Sequence, residues 1–393
     1  MLTTADPGAV ARAGVDGRGG ALSAKPAATR RRPGQGGAMT GSGGDGWVRG
    51  AIAALTADRA AEAATPLRRF PLPDDWPVTL LLKDESARPT GSLKHGFARA
   101  LLLDALSRGL VGERTPLVDA ASGNTAVAEA HFARLLGLPF TAVVPGRTGR
   151  AKLDRIEAHG GRTHPVDPPL AVYERARELA ADTGGHHLDH LANLAGAVDS
   201  PSFAPGLAAE VVDAVHPRWV VLGVGTGASS RLVGRHLRRR GLPTRLAVVD
   251  PEGSAYFPGW ATDCPDYATG MPSRIEGIGR PRLEPAFDAS VVDLVIPVPD
   301  AASVAGMRRL AAVAGLRAGP SAGACLWGAC HLLHRMREAG ERGSVVMVVG
   351  DSGEPYADTY YDDAWVSRNG WDITGPAAAL ERFTRTGEWG RGA

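Results

Sequence analysis

The chain has 393 residues, enough for two domains of ordinary size around real hydrophobic cores. Apolar residues make up 44% and charged residues 22%, a globular balance rather than a disordered or fibrous one. A formal net charge of +2 is too small to draw a nucleic acid, and no apolar stretch approaches transmembrane length, so neither nucleic acid nor membrane is expected as a partner.

Residues 1–45 are Gly, Ala, Arg and Pro with almost no large apolar side chains, and the expectation there is a disordered extension. From Gly46 the character changes. Val78–Leu82, Pro116–Asp119, Phe140–Val144, Val220–Gly223, Leu246–Asp250, Val292–Pro297 and Val345–Val349 read as buried strands. Helical patterns lie between them, at Lys94–Arg108, Thr125–Leu136, Ala151–His159, Leu170–Thr183, Pro205–Ala214, Arg231–Arg240, Ala302–Ala314 and Cys325–Ala339. Continuous apolar strands alternating with helices predict an α/β fold of mostly parallel sheets flanked by helices. The Pro- and Gly-containing stretch 195–205 suggests a junction, giving one α/β domain over 46–200, a second over 201–370, and a tail over 371–393. Cys264, Cys325 and Cys330 form no CxxC pair and leave one over, which points to a reducing compartment, here the cytoplasm.

Four segments carry chemistry. In Pro89-Thr90-Gly91-Ser92-Leu93-Lys94 a turn leads to a helix start, with Ser92 as the expected cap and Lys94 in the first turn. The positive end of a helix dipole disfavours a cation there, which would lower the lysine pKa; the plain alternative is a solvated surface lysine. Ser122-Gly123-Asn124-Thr125 follows a strand and opens a helix, a site for a carboxylate or simply an N-cap. Gly223-Val224-Gly225-Thr226-Gly227-Ala228-Ser229 is again strand, glycine turn and helix, a phosphate cradle. A dinucleotide fold uses the same shape, but this loop lies mid-chain and only Asp250 stands near the place of a ribose-binding acid. Gly350-Asp351-Ser352-Gly353-Glu354 presents a hydroxyl at a strand end, or is an ordinary turn. His186-His187-x-Asp189-His190 has ligand-type side chains at a strand-to-loop boundary but no second cluster, so no metal is expected.

In this order and combination the segments resemble the cysteine synthase and cystathionine beta-synthase family of pyridoxal-phosphate (PLP) enzymes, fold type II, over about residues 65–365. The resemblance implies PLP as cofactor, bound as a Schiff base on Lys94 in a cleft between two domains. It implies a substrate-carboxylate loop of Ser122, Gly123, Asn124 and Thr125, with Asn124 also contacting the cofactor ring oxygen. It implies a phosphate loop of Gly225, Thr226, Gly227, Ala228 and Ser229, and Ser352 as the partner of the pyridine nitrogen. Glu276-Gly277-Ile278-Gly279, with Gly277 against the substrate, Ser321-Ala322-Gly323-Ala324 and Thr65-Pro66-Leu67 are further segments of the family kind. Within the family, Gly91-Ser92-Leu93-Lys94-His95, Ser273-Arg274-Ile275-Glu276-Gly277-Ile278-Gly279-Arg280-Pro281 and Asp358-Thr359-Tyr360-Tyr361 are most similar to the L-cysteine desulfhydrase branch.

The implied activity is β-elimination from L-cysteine or a related β-substituted amino acid through an aminoacrylate, giving sulfide, pyruvate and ammonia, in a homodimer. The alternative within the family is a β-replacing cysteine synthase that forms a β-substituted alanine. A non-catalytic PLP- or partner-binding member is a third reading, suggested by Gly96, Ala228 and Pro355, which depart from the family pattern. His190-Leu191-Ala192-Asn193 departs as well, standing where sulfhydrylases carry Gln-Phe-x-Asn near the substrate carboxylate.

Overall fold

The computed structural model describes residues 44–200, 206–271 and 273–389. The expected disordered extension lies outside these, apart from its last two residues, which open a helix at Gly44–Ala61. Ten strands follow in chain order: β1 (Leu67–Arg69), β2 (Val78–Asp84), β3 (Leu117–Asp119), β4 (Phe140–Pro145), β5 (Arg162–Val166), β6 (His186–His187), β7 (Trp219–Gly223), β8 (Arg245–Pro251), β9 (Leu294–Val298) and β10 (Gly343–Val349). They form a six-stranded sheet in the order β1-β2-β10-β7-β8-β9 and a four-stranded sheet in the order β5-β4-β3-β6. Every pairing is parallel except β1 with β2. The seven strands expected from apolar runs are all present, because Val- and Leu-rich segments buried on both faces suit a parallel sheet covered by helices.

The division expected near residue 200 does not separate the strands. β2 pairs residue by residue with β10, Val78 opposite Gly343 through Asp84 opposite Val349. The larger sheet therefore draws β1 and β2 from the start of the chain and four strands from its second half. The smaller sheet is built wholly from residues 117–187. A strand's partner is fixed by tertiary packing, so a linear split could not reveal this. The tail also has a structure. The helix Thr374–Thr386 buries Leu380 and Phe383, and the Trp389 ring sits edge-on to Trp327, with centroids 4.7 Å apart.

The helix Pro320–Glu338 lies across β2, β7, β8, β9 and β10, and the helix Asp300–Ala314 covers it. These two helices meet through glycines. A Cβ on Gly323 would fall on the Ser303 carbonyl oxygen and 2.5 Å from the Met307 nitrogen, both backbone atoms with no freedom to move aside. Gly323→Ala therefore forces the helices apart. We expect a loss of about 3 kcal/mol, the upper end of the overpacking range, read as a lower midpoint in urea unfolding.

Among the described residues, no helix is long and apolar enough to cross a membrane. Cys264, Cys325 and Cys330 are free thiols, and the last two are buried among apolar side chains.

Candidate active site

Parallel strands present their C-terminal ends together, and the loops leaving β2, β3, β7 and β10 converge there. Backbone bonds tie them. Leu93 N–H donates to Gly350 O at 2.9 Å, Ser352 N–H to Gly91 O at 3.0 Å, and Gly279 N–H to Val224 O at 2.7 Å. Between the loops lies a cavity of about 590 Å³, with a narrow inner recess of about 40 Å³ running down to β7 and β10.

Lys94 lines both spaces. It is the first residue of the helix Lys94–Ser107; the cap position falls on Leu93 rather than on Ser92, whose Oγ accepts the Lys94 amide at 3.3 Å. Burial is the main cause that lowers its pKa. Arg280 pushes the same way and Asp351 opposes them, so packing does what the sequence had assigned to the helix dipole. The chain holds four lysines. Lys83 is buried and bound to Glu210 Oε2 at 2.5 Å and Thr65 O at 2.8 Å, and Lys152 is paired with Glu276 at 2.8 Å. Lys94 is the one lysine among the described residues whose ammonium has no such partner.

Ser122, Gly123, Asn124 and Thr125 line the cavity together, at the start of the helix Asn124–Leu135. Asn124 reaches into the recess, where its amide donates to Asp351 Oδ2 at 2.7 Å while its oxygen accepts from Arg155 at 3.0 Å. Gly277 lies on the opposite wall. Arg147, Lys152, Arg155 and Arg280 line the same cavity with Glu276, so its field favours anionic groups.

The loop after β7 is shaped by its glycines. A Cβ on Gly225 would stand 2.5 Å from Gly277 O, and Gly227 has a φ of +87° with the Phe287 backbone 2.5 Å from the place of a Cβ. Gly225, Thr226, Gly227 and Ser229 line the recess, at the amino end of the helix Ala228–Arg240. Ala228 does not line it: its methyl turns into the core and leaves the cradle its width.

Ser352 does not line the recess either. Its hydroxyl accepts the Glu354 N–H at 3.3 Å and holds the turn after β10. Ser321, at the start of the helix Pro320–Glu338, lines the recess, as do Ser92 and Asp351. Asp351 was not among the sequence candidates. Burial raises its carboxyl to about 6, even though Tyr356 and Asn124 donate to it and Lys94 faces it. Its position just before Ser352 was a signal, but the alternation that selects one of the two emerges only from the strand.

Beneath the Ser122–Thr125 loop, Asp119 ends β3 and accepts from His190 Nδ1 at 2.8 Å, with His187 Nε2 3.4 Å from its other oxygen. Glu129 lies fully buried beside them, with no donor to either of its oxygens. Burial and the Asp119 charge push its pKa well up, toward the neutral acid. Asp119, Glu129 and His190 are the one group among the described residues able to surround a cation, with ligand atoms within 4.8 Å of one another.

These residues fit a phosphorylated aldehyde cofactor. A lysine of lowered pKa with no ion-pair partner lines a recess that it shares with the glycine loop at a helix amino end, with Ser321 and Asn124.

The chain also has clear relatives. Residues 59–351 match the family described as pyridoxal-phosphate dependent enzyme. An L-cysteine desulfhydrase of Mycobacterium tuberculosis is 48% identical over 352 residues, covering 87% of this chain and 96% of that protein. A cysteine synthase of Aquifex aeolicus is 31% identical over 307 residues, covering 75% and 88%. Among solved structures, an O-ureido-L-serine synthase superposes with a TM-score of 0.67 at 26% identity, covering 81% of this chain and 98% of that one. With its two parallel-sheet bodies and the cleft between them, this chain belongs to the pyridoxal-phosphate dependent enzymes of fold type II.

Proposed function

We propose that the protein is a PLP-dependent lyase that removes the β-substituent of L-cysteine, or of a closely related amino acid, and releases sulfide, pyruvate and ammonia. The observation that carries the reading is a near full-length relationship to an L-cysteine desulfhydrase in a chain whose cleft holds one unpaired lysine over an anion cradle.

The residues take the following parts. Lys94 holds the cofactor and, once displaced by the substrate amine, accepts the Cα proton. Gly225 to Ser229 hold the phosphate through backbone N–H groups and the Ser229 hydroxyl. Ser122, Gly123, Asn124 and Thr125 receive the substrate carboxylate, and Gly277 borders it from the other wall. For the ring nitrogen the candidate hydroxyls are Ser352, in the turn after β10, and Ser321, which lines the recess. When bound, the cofactor supplies the electron sink for the Cα carbanion, and a neutral partner at its nitrogen keeps that sink modest, which favours prompt loss of the β-group. The reading carries with it a cytoplasmic homodimer, checked by the mass of the purified protein in light scattering.

The test compares two reactions of the purified enzyme. L-cysteine should yield sulfide and pyruvate in equal amounts. If O-acetylserine plus sulfide is converted to cysteine with a kcat/KM more than about tenfold higher, a preference of ~1.4 kcal/mol, the protein is a synthase and the lyase assignment fails.

A further inference from the structure

We propose that His190 delivers the proton that the departing sulfur needs, and that Asp119 is the positioning residue that aims its ring into the cleft. The proposal rests on the lyase reading above.

His190 is the first residue of the helix His190–Asp199 and lines the cavity that Lys94 and the Ser122–Thr125 loop also line. Its backbone N–H and its Nδ1 both point at Asp119 Oδ2, at 3.3 and 2.8 Å. An ionised carboxylate against Nδ1 fixes that nitrogen as a donor, which leaves Nε2 as the ring nitrogen free to meet a ligand. The preceding residue fixes where the ring begins. Asp189 adopts φ +42°, a left-handed conformation that costs a non-glycine residue about 1 kcal/mol or more, and its side chain accepts the Ala192 N–H at 3.2 Å.

The surroundings are built to keep Asp119 charged. Burial alone would raise its pKa, but the His190 ring at 2.8 Å, with His187 Nε2 3.4 Å away, holds it well below the usual range. Asp119 is 1% exposed and Glu129 is fully buried, so water does not screen this pairing. A surface histidine that merely capped a helix would need none of these groups. Glu129, Asp119 and His190 form a proton-transfer group oriented by a buried carboxylate, on the wall of the cavity that Lys94 also lines.

The step balances. Lys94 takes the Cα proton, and the electron pair of that bond becomes the second bond between Cα and Cβ. The Cβ–S pair leaves on sulfur. His190 enters the step as the imidazolium, with Nδ1–H held by Asp119; the sulfur takes the Nε2 proton and departs as hydrogen sulfide, leaving the neutral ring, which regains its proton from solvent.

The contrast between leaving groups tests this. Chloride needs no proton, so β-chloro-L-alanine passes through the same elimination without the step assigned to His190. His190→Gln keeps a polar side chain of similar reach but no transferable proton. In the holoenzyme we expect kcat on L-cysteine to fall about 100-fold or more, and kcat on β-chloro-L-alanine to stay within about threefold. Asp119→Asn should show the same contrast at smaller size, with cofactor absorbance and melting temperature confirming the fold in both variants. Equal losses on the two substrates would make His190 a binding residue only and overturn the proposal, as would no loss on either. A wild-type enzyme that eliminates neither substrate overturns the lyase reading itself, and this step with it.

Discussion

Lys94→Ala should yield a colourless protein, without the absorption near 410 nm (roughly the position of lysine-bound PLP), and its activity on L-cysteine should fall by about 10⁴ or more. Two separate losses combine: the covalent anchor and the base that takes the Cα proton. The structure sharpens the test, because only two other described lysines exist and both are engaged, Lys83 with Glu210 and Lys152 with Glu276. Borohydride reduction of the wild-type holoenzyme should place the label on the peptide containing residue 94. Label on the peptide of residue 83 or 152 would mean that the anchor has been misassigned, whatever the activity of the variant.

Gly227→Ala should weaken PLP retention by a factor of about 10² to 10⁴, measured by equilibrium dialysis. A methyl at φ +87° is strained by about 1–2 kcal/mol on conformational grounds alone, and it meets the Phe287 backbone at 2.5 Å. The loop must shift, and the N–H groups that face the recess shift with it. Hydrogen bonds to a charged group are each worth about 1.5–3 kcal/mol, so misaligning two of them gives the stated range. Ser229→Ala is the comparison: it removes one hydroxyl from the same wall with no backbone strain and should cost far less. Equal retention in wild type and Gly227→Ala would remove this loop from the cofactor site.

What the sequence revealed and what it hid divide along physical lines. Strands such as Val345–Val349 were legible because continuous apolar runs in a parallel sheet report burial directly. β5, with the sequence Arg-Thr-His-Pro-Val, was not, since an edge strand of half-exposed residues has no such run. The helix Gly44–Ala61 was hidden by its small residues, although Leu55 and Ala51 pack into the smaller core. In the site, Lys94, the Ser122–Thr125 loop and the glycine loop were legible because each is a local event, a turn opening a helix. Asp351 and Ser321 were harder, because which side chain faces the recess depends on the pleat of β10 and on a helix that starts thirty residues earlier. The Asp119–Glu129–His190 chain was harder still. Its members lie on three elements, and the pairing of β3 with β6 is what carries His190 to Asp119.

The seat of β2 beside β10 also sets an order of events during synthesis. Residues 78–84 leave the ribosome early, yet their hydrogen-bonding neighbour, residues 343–349, emerges only when the chain is nearly complete. Until then β2 has only the short β1 on one side and no partner on the other, and β7 lacks the strand that joins it to β2. The smaller sheet waits for nothing, since residues 117–187 carry all four of its strands and can close as soon as they are free. The nascent protein therefore passes through a stage with a finished small body and an open, apolar larger sheet, the kind of surface on which misassembly begins. The arrival of β10 closes that gap and, through Asp351 and the Leu93–Gly350 hydrogen bond, completes the cleft at the same moment. A chain that stops short of residue 343 is not a weaker enzyme but one whose cleft has never been assembled.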